Sequence, residues 1–200
     1  MSPPIRDPRA GQDQTSAPAK IALVGLRGAG KTTVGALLAR DLARTFVDLD
    51  DEIERLQQLA QPAQPPLRAG EILARLGEPE FRALESLALA NVLGGPSPLV
   101  LACGGGVVQS EQNRARLRET AWVVWLEAPI EELARRLAAD PTPRPALTAA
   151  SACSLEELRE LRDARRAWYE EVAHLRIRTE GLSPADVARV LRGGLGSLQA

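Results

Sequence analysis

Lysine is nearly missing from this 200-residue chain: of its 25 basic residues only Lys20 and Lys31 are lysines. Aromatic side chains are scarce as well, at 3 %, which argues against a base-stacking platform for single-stranded nucleic acid. There are two cysteines, Cys103 and Cys153, and one histidine, His174, with no spacing that suggests a zinc site. Reduced thiols of a cytoplasmic protein are expected. An excess of charge is missing too. With a formal net charge of −1, no global field favours nucleic acid or membrane. No apolar run approaches membrane-spanning length, and the first twenty residues are rich in proline and polar residues without the apolar stretch of a secretory signal. The expectation is a cytoplasmic monomer with neither nucleic acid nor membrane as partner.

Against this background one stretch stands out. Residues 25–32 (GLRGAGKT) match the phosphate-binding loop pattern G-x-x-x-x-G-K-[ST] at every fixed position. An apolar run, 21–24, precedes it and a helical pattern with Val34, Leu37, Leu38 and Leu42 follows, which is the strand–loop–helix context the motif requires. The glycines let successive backbone N–H groups point into one concavity, and the positive end of the next helix adds to the attraction for an anion. Lys31 supplies a compact positive charge in a chain that otherwise uses arginine, and the Thr32 hydroxyl suits a magnesium ion.

Hydrophobic patterning divides the rest. Residues 1–19 are rich in Pro, Ser, Gln and Asp and read as a disordered tail ahead of a single domain, 20–200. Strands are expected at 21–24, 46–48, 98–102, 122–126 and 175–178, with helices at 31–44, 50–59, 71–76, 79–93, 111–118, 130–139, 154–172 and from Pro184 onward. Ser154 with Glu157 forms a capping signature. Residues 140–151 carry three prolines and no periodicity, and read as a loop. Five strands separated by helices imply an α/β fold of three layers, α/β/α, with a central five-stranded parallel sheet and right-handed crossovers.

Ligands bind such sheets beyond the carboxyl ends of the strands. Four features fall there: the phosphate loop, Asp48-Leu49-Asp50, Gly104-Gly105-Gly106, and Arg144 in the proline-rich loop. Phosphoryl transfer needs a carboxylate near magnesium and a group that positions the attacking hydroxyl, and Asp48 and Asp50 can divide those tasks. A helix N-terminus, with Asp50, Asp51 and Glu52 stabilising its dipole, is an equally open reading of the pair at this point. Arg82, Arg165 and Arg166 each read individually as solvated helix charges.

Taken together these residues resemble the shikimate kinase family, from about Ile21 to Leu191. GLRGAGKTT, FVDLD, GEPEFRALE, CGGGVV, RPALT and RRAWYEEVA occur in that family's order and at compatible spacing. The resemblance implies a P-loop fold of the nucleoside monophosphate kinase group with a mobile lid at about 140–153. It implies ATP-dependent phosphorylation of the 3-hydroxyl of shikimate, in aromatic amino acid biosynthesis, with ATP, shikimate and Mg2+ as partners. Gly28, Ala29, Gly30, Lys31, Thr32 and Thr33 would hold the ATP phosphates, with Arg136 beside the adenine and Arg144 of the lid on the transferred phosphoryl. Thr32 and Asp48 would serve the magnesium ion, Asp48 through water. Asp50 would orient or deprotonate the hydroxyl, making Lys31, Asp50 and Arg144 the catalytic set. Arg82 and Arg165 would pair with the shikimate carboxylate, and Gly104, Gly105 and Gly106 would line the acceptor. Arg166 competes with Arg165 for its role. Residues 57–68 are richer in Gln and Pro than the family pattern, and RPALT replaces the commoner RPLL. A gluconate-type kinase and a ligand sensor built on the same domain are the alternatives.

Overall fold

The computed structural model describes residues 18–139 and 154–197. The tail expected at 1–19 lies outside them apart from Pro18 and Ala19, as do the expected lid and Arg144. Five strands form one parallel sheet: β1 (Lys20–Val24), β2 (Thr45–Asp48), β3 (Leu99–Ala102), β4 (Trp122–Glu127) and β5 (Leu175–Arg178). Their order is β2-β3-β1-β4-β5, with Ile21 opposite Val100 on one side and Trp122 on the other. The three central strands are the continuous apolar runs, because helices cover both faces and leave no solvent side for polar residues. The edge strands tolerate exposed Thr45, Arg176 and Arg178. Winding reverses about β1, so the crevice over its carboxyl end is where a ligand is expected.

The helices are α1 (Lys31–Asp41), α2 (Leu49–Ala60), α3 (Ala69–Leu76), α4 (Glu78–Gly94), α5 (Glu111–Thr120), α6 (Ile130–Ala138), α7 (Leu155–Val172) and α8 (Pro184–Ser197). All correspond to sequence expectations, with ends shifted by a few residues where helices fray. Ser154 caps α7, its Oγ accepting from Glu157 N at 3.1 Å, as the spacing predicts. One element had no sequence signal: Val107–Gln109 forms a single 3-10 turn after the glycines, drawn inward by the fully buried Val107 and Val108. No described helix is long and apolar enough to cross a membrane.

Candidate active site

The phosphate loop joins β1 to α1. Gly28 and Gly30 have φ of 79° and 88°, the left-handed region in which a side chain is strained, so glycine is required at both. Lys31 reaches back across the loop and donates from Nζ to the carbonyls of Gly25 and Leu26, each at 2.9 Å. Burial pulls its pKa down to about 8, against the opposing pull of the Asp50 carboxylate. Thr32, next in sequence, donates from Oγ1 to Asp48 Oδ2 at 2.7 Å.

Asp48 does two things at once. Its Oδ1 accepts from the backbone N–H of Asp50 at 3.0 Å and so caps α2, while its Oδ2 faces Thr32. The structural and the chemical readings of this acid are therefore compatible, one oxygen to each. Asp50 projects from the first turn of α2 and lines the space beside the phosphate loop, with its Oδ1 close to Gly104. The surrounding walls strip part of the carboxylate's hydration and Asp48 repels its charge. Desolvation and then Asp48 push its pKa up to about 6.

Two cavities meet here. The first, of about 570 Å³, is lined by residues 27–34 of the loop and extends to Arg136, Thr179, Leu182, Pro184 and Val187. Arg136 closes it: Nε donates to Glu132 at 2.9 Å, Nη1 to the Gly28 carbonyl at 3.4 Å and Nη2 to the Thr179 carbonyl at 3.3 Å. It thus ties the phosphate loop to the end of β5, beside an apolar wall suited to a base.

The second cavity, of about 620 Å³, opens on the other side of Asp50 toward Arg82, Glu85, Gly104, Gly105, Gly106 and Arg165. Arg82 lies on α4 and donates from Nη1 to Glu85 Oε2 at 3.0 Å. Burial pushes the Glu85 carboxyl up and the Arg82 charge opposes it. Arg82 packs flat against Gly106, where any Cβ would collide with the guanidinium; that contact explains the third glycine. A Cβ on Gly104 would lie 2.9 Å from Glu85 Oε1 and 3.3 Å from Asp50 Oδ1, so backbone, Glu85 and Asp50 converge on one point.

Arg165 reaches this cavity from α7, donating from Nη1 to the Gly105 carbonyl at 3.0 Å; Tyr169, one turn on, donates its hydroxyl to the same carbonyl at 2.6 Å. Arg165 is 5 % exposed. Arg166 points outward, paired with Glu170 on the surface at 2.9 Å, so of the two it is Arg165 that the packing of α7 turns toward the second cavity. Gln109 joins the two inward arginines: with its amide oxygen turned to them it accepts from Arg82 Nη2 and Arg165 Nη2, both at 3.2 Å.

The structure therefore gathers Lys31, Thr32, Asp48, Asp50, Arg82, the three glycines, Arg136 and Arg165 on one rim. Glu85, Gln109, Tyr169 and Thr179 stand with them, although no motif of the sequence marks them for it. Glu85 stands three residues after Arg82, a helical ion-pair spacing that sequence can signal. Gln109 carried no signal, because its position depends on the 3-10 turn. Cys103 is buried behind the glycines, and burial holds its thiol above the usual range, so it is chemically quiet.

Comparison with known proteins agrees with this geometry. The family model "Shikimate kinase" matches residues 27–193. A shikimate kinase of Corynebacterium glutamicum is 42 % identical over 84 % of this chain and 90 % of its own length. One from Bordetella pertussis is 43 % identical over 90 % of this chain and 78 % of its own. Among solved structures, the shikimate kinase from Acinetobacter baumannii in complex with shikimate superimposes with a TM-score of 0.79 at 36 % identity, over 90 % of this chain and 94 % of that one. With the phosphate loop, the parallel sheet and the paired arginines in place, and with the family model spanning both cavities, the chain belongs to the shikimate kinase family.

Proposed function

We propose that the first cavity takes ATP, that the second takes shikimate, and that Asp50 stands where the two meet. As a shikimate kinase, the protein transfers the γ-phosphoryl group of ATP to the 3-hydroxyl of shikimate, giving ADP and shikimate 3-phosphate. The observation that carries the assignment of sides is the position of Asp50 in the lining common to both cavities, while Arg82 and Arg165 line only one of them.

The two guanidiniums suit the acceptor's carboxylate, which they can grip as planar forks. Gly104 and Gly105 present backbone to the ring, and Asp50 accepts a hydrogen bond from the attacking hydroxyl. On the donor side the loop N–H groups and Lys31 hold the phosphates, exchanging the Gly25 and Leu26 carbonyls for phosphate oxygens as Lys31's partners. Arg136 and the apolar wall hold the base. Arg144, outside the described residues, is proposed as a lid cation on the phosphoryl group.

Magnesium fits the Thr32–Asp48 pair, since a hydroxyl and a carboxylate 2.7 Å apart are the hard oxygen donors it prefers. Among the described residues no cluster of three or more His, Cys, Asp or Glu could hold a metal, so the ion would be shared with the phosphates. When bound it supplies positive charge against the β- and γ-phosphate oxygens.

The direct test is ADP release with ATP and Mg2+, measured with shikimate, with gluconate and with no acceptor; release that depends on shikimate alone is expected. Arginine replacement tests the acceptor side. Losing a charge-assisted hydrogen bond costs roughly 1.5–3 kcal/mol, so Arg165→Ala raises KM for shikimate by about ten- to a hundredfold and leaves KM for ATP near its original value. Arg166→Ala changes neither by more than about twofold, because a surface pair such as that with Glu170 contributes little. Equal effects of the two substitutions would exclude Arg165 as the carboxylate ligand.

A further inference from the structure

Arg27 is not among the fixed positions of the phosphate loop pattern, yet it is the one cation among the described residues that lines both cavities. Among the described residues, those that line both are Arg27, Thr32, Thr33, Asp48, Asp50, Gly104 and Gly105. Lys31 and Arg136 face the first cavity only, and Arg82 and Arg165 the second only. A phosphoryl group leaving one cavity for the other passes these shared residues, where the other charged side chains among the described residues are the two carboxylates Asp48 and Asp50. Negative charge spreads over its equatorial oxygens as it crosses, and needs a cation already in position.

Arg27 is held for such a task. Its Nη1 lies 3.6 Å from Glu157 Oε2, and the side chains are 14 % and 0 % exposed. Glu157 stands in the first turn of α7, fixed by the Ser154 cap, on the helix that also carries Arg165. Burial lowers the pKa of both Lys31 and Arg165, and the Arg27 charge lowers each further, which places Arg27 within electrostatic reach of the donor side and of the acceptor side.

We propose that Arg27 contacts the phosphoryl group in transit and is a further catalytic residue, with Glu157 as its positioning residue. This rests on the assignment of donor and acceptor cavities above. It gives the phosphate loop its own arginine at the transfer point.

Steady-state kinetics of Arg27→Met and Arg27→Lys, beside the unaltered protein, test it. Arg27→Met lowers kcat by about tenfold or more, as loss of a transition-state arginine does, while KM for each substrate stays within about threefold. Arg27→Lys recovers part of the loss, since the charge returns without the planar fork. A second readout is binding of ADP with aluminium fluoride in the presence of shikimate: Arg27→Met weakens it by at least tenfold but leaves binding of ADP alone unchanged. Glu157→Gln lowers kcat several-fold at unchanged KM. If Arg27→Met does not fold, the lysine variant and the fluoride complex carry the test. Unchanged kcat in a folded Arg27 variant, or equal loss of ADP and fluoride-complex binding, overturns the proposal. Glu157→Gln that melts earlier with full kcat overturns the positioning role. Absence of shikimate-dependent ADP release in the unaltered protein would instead overturn the underlying assignment.

Discussion

Asp50→Asn lowers turnover with ATP and shikimate by roughly a hundred- to ten-thousandfold, the range for a positioned general base, and leaves ATP binding intact. The asparagine keeps the shape and can still meet the hydroxyl, but it cannot take its proton or hold it by charge. The pH dependence gives an independent check. The carboxylate is the working form and its pKa is about 6, so kcat/KM for shikimate holds above that value and falls as pH drops through it. In Asp50→Asn this acid limb disappears. Stability moves the other way. A carboxyl whose pKa is raised from 3.8 to about 6 by folding binds its proton more tightly in the folded state. That contribution is complete below the unfolded value and is lost as pH rises through 6. Asp50→Asn therefore melts above the original protein at pH 7–8, and the difference closes at acid pH. An asparagine variant that turned over normally, or that melted lower at pH 8, would contradict this placement of Asp50.

Lys31→Ala is the second large effect. Removing one preorganised charge from a developing oxyanion costs about a hundred- to a thousandfold in kcat. The structure adds a complication that the motif does not contain. Without ligand, Lys31 is bonded to the Gly25 and Leu26 carbonyls, so its removal also frees the loop. Burial brings Lys31 to about 8, and a positive charge is the working form, so kcat/KM for ATP falls as pH rises through that value. The unaltered protein thus gives a bell between two limbs near 6 and 8, and these belong to the coupled site as a whole. Measuring kcat/KM from pH 5 to 9 decides whether both limbs are present.

Much of the site was legible because its parts are local. The loop's glycines, lysine and threonine are fixed by spacing within eight residues, and the apolar run before them marks the strand. Asp48 and Asp50 follow a strand exit that is equally plain. Where sequence stopped, the reason was a missing third dimension. Arg165 and Arg166 are adjacent, and only the packing of α7 turns the first toward Gly105 and the second toward Glu170. Arg82 has the sequence context of a surface charge, and only Glu85, Gly106 and Gln109 around it in space hold it at the cavity. Gln109 reaches both arginines through a 3-10 turn with no sequence signature.

The sequence by itself determined the order of strands and helices, the anion-binding loop and the family resemblance, since each depends on periodicity or on contiguous residues. Tertiary structure alone decided that Asp50 stands between two cavities, that Arg82 and Arg165, far apart in sequence, share one amide, and that Arg27 and Glu157 meet. Those pairings join parts of the chain far apart in sequence, brought together by the parallel sheet's crossovers, and no local pattern records which distant side chain will arrive.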